Sequence, residues 1–309
     1  MLYSWVLFNL FALGMLVLEL LVFHRPGRAV PPRQALAWSA VYVALAAAFA
    51  VLVYVWQGHQ AALEFVAGYL VEFSLSVDNL FVFLVIFNYF AVPEEQQRRV
   101  LFWGIVGALI MRGIFIGAGV GLIHRFRGLV YGLGALLVYT GVRVCLAGDH
   151  RIDPAGNPVV KGLRRFVPVT ADYDRGRFFV RNRQENMRLY ATPLLVVLLV
   201  IETTDVLFAI DSIPAILAIT LNAFIVYTSN VLAILGLRSM YFAVSGLMKS
   251  FRFLHYGLAV VLVLVGAKMI AADYIQIPIL TTLTVIAGVL LMSVGASLLY
   301  PEEEKEIVD

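Results

Sequence analysis

Apolar residues run in nine blocks along the chain, at 4–23, 36–56, 63–90, 99–123, 128–147, 191–221, 223–248, 253–272 and 277–299. Each comes near to, or exceeds, the roughly 20 residues an α-helix needs to cross a bilayer. The blocks are too long and too evenly apolar for barrel strands, and in lipid only helices and closed barrels satisfy their own backbone. The predicted fold is an all-α polytopic membrane protein with about nine transmembrane helices. No basic residue precedes the first block, and Arg25 follows it. A cleavable signal has the opposite polarity, so this block reads as a true span with the N-terminus outside. Segment 148–190 interrupts the rhythm. Pro154, Gly156, Asn157 and Pro158 mark turns there, and Phe178, Phe179 and Val180 supply enough apolar surface to pack as a small cap.

Composition agrees with this reading. Of 309 residues, 61% are hydrophobic and only 14% charged, whereas soluble domains are about half apolar and a quarter charged. The cations gather in loops. Arg25, Arg28 and Arg33, then Arg98 and Arg99, then the run from Arg151 to Arg188, then Lys249 and Arg252 all fall on one side of a nine-span chain. The positive-inside rule makes that side cytoplasmic, with Arg125 and Arg127 as exceptions, and places the acidic tail from Glu302 to Glu306 inside. The net charge of +3 needs no nucleic acid to explain it. The single Cys145 excludes an internal disulfide and a Cys-rich metal site, and the five histidines share no ligand spacing.

The sixth block breaks the apolar rule. It carries Glu202, Asp205 and Asp211 and no cation, although each carboxylate in hydrocarbon costs roughly 2.5–3.5 kcal/mol on insertion scales. The third block holds a weaker double, Glu72-Phe73-Ser74-Leu75-Ser76-Val77-Asp78-Asn79. Setting Val77-Asp78-Asn79 against Ile210-Asp211-Ser212 puts Glu72 opposite Asp205. The match continues from Ala108–Arg112 to Ile234–Arg238, and from Tyr139–Arg143 to Leu264–Lys268. Three spans thus repeat as three spans. Because three is odd, the second copy enters the membrane from the other side, which is a 3+3 inverted-topology repeat. Secondary transporters built this way hold substrate near the midplane, where the repeats meet. The expected division is two peripheral spans over 1–62, a first repeat over 63–147, a cytoplasmic loop over 148–190, a second repeat over 191–272, and a last span with its tail over 273–309.

Glu72, Asp78, Glu202, Asp205 and Asp211 are the candidate metal ligands. Ser74, Ser76, Asn79, Thr204 and Ser212 are possible supporting groups. The set is all oxygen and suits hard cations such as Mg²⁺, Ca²⁺ or Mn²⁺. Arg112, Arg143, Arg238 and Lys268 are candidate counter-charges. On a straight helix an i, i+6 pair lies about 120° apart, so Asp205 and Asp211 do not share a face. Pro214 cannot donate to the Ile210 carbonyl, and an opening of the helix there is the expected remedy.

The stretches 72–79 and 202–215 resemble the two signature motifs of the TerC family. Gly176-Arg177-Phe178-Phe179-Val180-Arg181 and Ala191-Thr192-Pro193-Leu194 resemble that family too, and the nine-span layout is similar to its Alx branch. The resemblance implies a bacterial inner-membrane protein related to LysE-type transporters. It implies no enzymatic activity and no prosthetic group, with Mn²⁺ as an exported substrate and protons as the expected exchange partner. The five carboxylates correspond to the family's motif acids. Ca²⁺ or another divalent cation, or a membrane anchor that docks other proteins through loop 148–190, are the alternative readings.

Overall fold

Long apolar helices form because each backbone group bonds within its own segment, and the breaks fall where the chain cannot continue a helix. The computed structural model describes residues 2–23, 32–126, 128–147, 162, 165, 167–170, 172–174, 176–182, 188–244, 253–275 and 277–299. Within these, α1 spans Leu2–Phe23, α2 Pro32–Gln57, α3 His59–Tyr89, α4 Glu94–Arg125 and α5 Leu129–Ala147. After the strands β1 (Phe179–Asn182) and β2 (Arg188–Ala191) come α6 (Pro193–Leu217), α7 (Ala223–Leu235), α8 (Leu237–Val244), α9 (Leu254–Ala271) and α10 (Ile279–Leu299). Among the described residues, eight stretches are long and apolar enough to cross a membrane, with α7 and α8 together making one of them, and α1 adds a shorter apolar helix.

Local chemistry accounts for several boundaries. Gly58 turns the chain between α2 and α3 at φ 90°, a conformation that favours glycine. Glu94 and Glu95 open α4, where carboxylates complement the positive helix end. Pro193 sits in the first turn of α6, where its missing N–H costs nothing. Asn222 caps α7 by accepting from the Phe224 and Ile225 amides.

The packing is reciprocal. The helix α3 lies along α7 while α6 lies along α4, α3 also meets α6, α4 meets α7, and α5 lies along α9. The α5–α9 pair is the tightest. A Cβ on Gly266 would stand 2.7 Å from the Gly134 carbonyl oxygen, and one on Gly141 would stand 2.6 Å from the Ala259 carbonyl oxygen. Small residues let membrane helices approach this closely. At one end of the bundle the rings of Trp5 and Phe8 of α1 pack, mostly edge to face, against Phe224 and Tyr227 of α7, and the Tyr227 hydroxyl donates to Asn9 Oδ1 (2.7 Å).

The opposite end carries the cap expected from segment 148–190. The fold departs from purely α here, because β1 and β2 pair antiparallel with Phe179 opposite Ala191. The Thr192 hydroxyl donates to the Arg177 carbonyl (2.6 Å), the Tyr173 hydroxyl donates to the Phe90 carbonyl (2.7 Å), and the Arg99 guanidinium lies over the Phe178 ring. These contacts seat the hairpin on the ends of α3, α4 and α6. Residues 148–161 of the expected loop lie outside the described residues.

Two expectations are revised. The helix α6 runs unbroken through Pro214 and ends at Leu217. Pro214 withholds a hydrogen bond from the Ile210 carbonyl, yet the helix continues past it for a further turn. The seventh apolar block is interrupted at Gly236 between α7 and α8.

Candidate functional site

Asp205 is the central residue of α6, and Glu72 lies about midway along α3. The contact between α3 and α6 brings them to one place, and α4 supplies the third member. Arg112 donates from Nη1 to Glu72 Oε1 and from Nη2 to Asp205 Oδ1 (3.4 Å), and Nη1 also reaches Ser212 Oγ (3.4 Å). All of this is buried, with Glu72 at 0% exposure, Arg112 at 1% and Asp205 at 5%. Among the described residues, Glu72 Oε2 and Arg112 Nε find no hydrogen-bond partner. The charges that make α6 so costly in lipid are thus answered in part by an arginine from another helix.

Glu202 lies one turn before Asp205 on the same helix, close enough for the two charges to interact. Its carboxylate fills the space over Gly107 of α4, and a Cβ at Gly107 would overlap it. Among the described residues no three acidic, histidine or cysteine side chains converge as a metal-holding group. The expected ligands Asp78 and Asp211 and the expected counter-charge Arg238 have their backbones in α3, α6 and α8. Their side chains lie outside the described residues.

The supporting groups divide by helical phase. Ser76 and Asn79 share the face of α3 that carries Glu72, one and two turns on. Both are buried, and Ser76 Oγ and Asn79 Nδ2 find no partner among the described residues. Ser74 lies on the opposite face, and its hydroxyl donates to the Leu70 carbonyl (2.7 Å). Thr204 likewise donates to the Val200 carbonyl (2.7 Å). Hydroxyls that bond back into their own helix are already occupied as donors. Ser212 faces the cluster through Arg112.

Two of the four expected counter-charges sit elsewhere. Arg143 is exposed on α5, beside Tyr139, Val142 and Leu146. The Lys268 ammonium donates to Thr282 Oγ1 (2.9 Å) on α10 and feels the Glu64 charge near the start of α3. Sequence reasoning missed Gly107, whose absent side chain makes room for Glu202. It also missed Asn230 of α7, fully buried with neither Oδ1 nor Nδ2 partnered among the described residues. A lone asparagine inside the apolar block 223–248 was the available signal. Beyond the cluster, away from the hairpin, lies a separate apolar plug. It is built from Ile116 and Ile123 of α4, Ile213 and Ile216 of α6, and Val226 of α7.

Fold and site together define a polytopic helical membrane protein with a buried ionic cluster where its central helices meet. Residues 57–305 match the family described as "Integral membrane protein TerC family", and the chain belongs to that family. It is 47% identical over 295 residues to "Uncharacterized membrane protein STKORF319" of Myxococcus xanthus, covering 96% of this chain and 92% of that one. It is 46% identical over 288 residues to "Putative membrane-bound redox modulator Alx" of Escherichia coli (strain K12), covering 90% and 89%. An "Uncharacterized membrane protein" of Rickettsia bellii (strain RML369-C) is 37% identical over 306 residues, covering 99% of each chain. No solved structure matches the chain.

Proposed function

We propose that this protein is a secondary transporter that exports Mn²⁺ across the bacterial inner membrane, in exchange for protons, through a carboxylate site between α3 and α6. The observation that carries the reading is the burial of Glu72 and Asp205 halfway along two apolar helices. Ionisable groups at that depth are expensive and are usually kept for function. Glu202, Asp78 and Asp211 complete the proposed oxygen ligand set. The reciprocal packing of α3–α4–α5 against α6–α9 supports an inverted-topology repeat, the architecture on which alternating access runs. The apolar plug on the side away from the hairpin supports a state sealed on that side, the outside in the proposed orientation. That orientation puts the hairpin cap and the C-terminus inside and the N-terminus outside.

The Escherichia coli relative's name speaks of redox modulation. This chain has one cysteine, Cys145, so it cannot cycle an internal dithiol and disulfide. A redox effect would then follow from the ion it moves. Everted membrane vesicles loaded by an imposed pH gradient test the proposal. Mn²⁺ uptake should depend on the gradient and be abolished by Asp78→Asn and by Asp211→Asn while both variants remain in the membrane. Full uptake by both variants, or uptake of Ca²⁺ in preference to Mn²⁺, overturns the assignment.

A further inference from the structure

A cation and a guanidinium cannot both hold the same carboxylate oxygens, and in this structure Arg112 holds them. It reaches Glu72 and Asp205 from a third helix, α4, and is itself almost completely buried. As pure stabilisation this is a poor arrangement. Taking three charges out of water is costly, and an apolar replacement of similar volume often does as well. Among the described residues the pairing is also incomplete: Glu72 Oε2 and Arg112 Nε are buried without partners, and the Asp205 and Ser212 contacts are long at 3.4 Å. A group built only to lock three helices together would close these bonds. A group that must let go would not.

Transport imposes a further requirement. A carrier that has released its cation returns with protons in its place, and any carboxylate that stays ionised on that return carries a heavy electrostatic penalty in the low-dielectric interior. Arg112 supplies a positive charge that stays with the protein. Resting on the transport reading above, we infer that Arg112 is a tethered substitute for the cargo. It occupies Glu72 and Asp205 in the metal-free carrier and is displaced when the divalent cation binds. Arg112 is a positioning residue in this scheme, since it does not touch the cation. Two consequences follow. It competes with the cargo, so it lowers apparent affinity. It also makes the metal-free, proton-carrying return possible, so net transport needs it while one-for-one exchange of cargo does not.

The experiment compares purified wild-type protein with Arg112→Gln and Arg112→Lys in proteoliposomes, with Mn²⁺ as the probe. Arg112→Gln should lose net Mn²⁺ efflux by at least about tenfold while Mn²⁺/Mn²⁺ exchange stays within about twofold of wild type. It should bind Mn²⁺ about tenfold more tightly at equilibrium, because the competing state is removed. Arg112→Lys should recover part of the net flux. Net efflux unchanged in Arg112→Gln overturns the inference. So does a parallel loss of exchange and of Mn²⁺ affinity in folded protein, which would make Arg112 a structural brace. If Arg112→Gln does not fold, Arg112→Lys decides. A point charge without the planar fork should weaken the hold on Glu72 and Asp205, so Mn²⁺ binding should tighten, and weaker binding overturns the inference. Wild-type vesicles that neither exchange nor export Mn²⁺ overturn the transport reading itself, and this inference with it.

Discussion

Glu72 and Asp205 are held by the same guanidinium, although one belongs to α3 and the other to α6. Breaking a buried pair by removing one partner leaves a charge uncompensated, at a cost of about 3–5 kcal/mol. Glu72→Ala is therefore expected to lower the unfolding midpoint in detergent markedly. Adding Arg112→Met to Glu72→Ala should recover part of that loss, since the stranded charge goes too, without restoring transport. A double variant no more stable than Glu72→Ala alone would count against this account.

Because an arginine already answers these two carboxylates, they do not need a bound ion to stay buried. Stripping divalent cations with a chelator should leave helix content and the unfolding midpoint unchanged. Adding Mn²⁺ at a hundred times its Kd should then stabilise the protein by about 2.7 kcal/mol, the gain expected of a ligand that binds only the folded state. Collapse of the fold on chelation would show instead that a resident ion is part of the structure.

The Glu202 carboxylate rests where a side chain at Gly107 would be. It sits at the end of a flexible side chain, so Gly107→Ala should push Glu202 aside rather than part α4 from α6. The expected result is reduced transport with stability held within about 1 kcal/mol, as for an ordinary helical Gly→Ala change. Gly117 of the same helix has open space around it, and Gly117→Ala should leave transport intact. Equal effects from the two substitutions would remove the special role of Gly107.

Between α5 and α9 the obstacle is backbone, which cannot step aside. Gly266→Ala would drive a methyl group into the Gly134 carbonyl oxygen and Leu137. Overpacking of this kind typically costs about 1–3 kcal/mol. Gly132→Ala, on an open face of α5, should be neutral or slightly stabilising. Thermal unfolding of the two variants in one detergent separates these outcomes.

Arg143 is exposed and Lys268 is engaged with Thr282. Arg143→Gln and Lys268→Met are therefore expected to keep Mn²⁺ transport within about twofold of wild type. This is the opposite of what a role as counter-charges in the site would produce, since removing the partner of a buried charge is strongly destabilising. Vesicle uptake by both variants checks it.

Much of this protein is legible in one dimension. The price of a polar group in lipid is paid residue by residue, so the length and composition of each apolar block announce a membrane helix. The same local cost singles out Glu72, Glu202 and Asp205 as residues that a merely structural helix would discard. Turn chemistry is local too, and Asn222, Pro193 and Gly58 each fall at a helix boundary in the structure. The choice among cations is not local. Arg112, Arg143 and Lys268 all lie in apolar blocks, and helical periodicity assigns each only an angle around its own axis. Which helix stands at that angle depends on how nearly uniform apolar surfaces interlock, down to single contacts such as Gly134 with Gly266. The chain by itself determined that carboxylates would be buried in the membrane-spanning helices. Only the packing of α6 against both α3 and α4 decided that Arg112 would meet two of them.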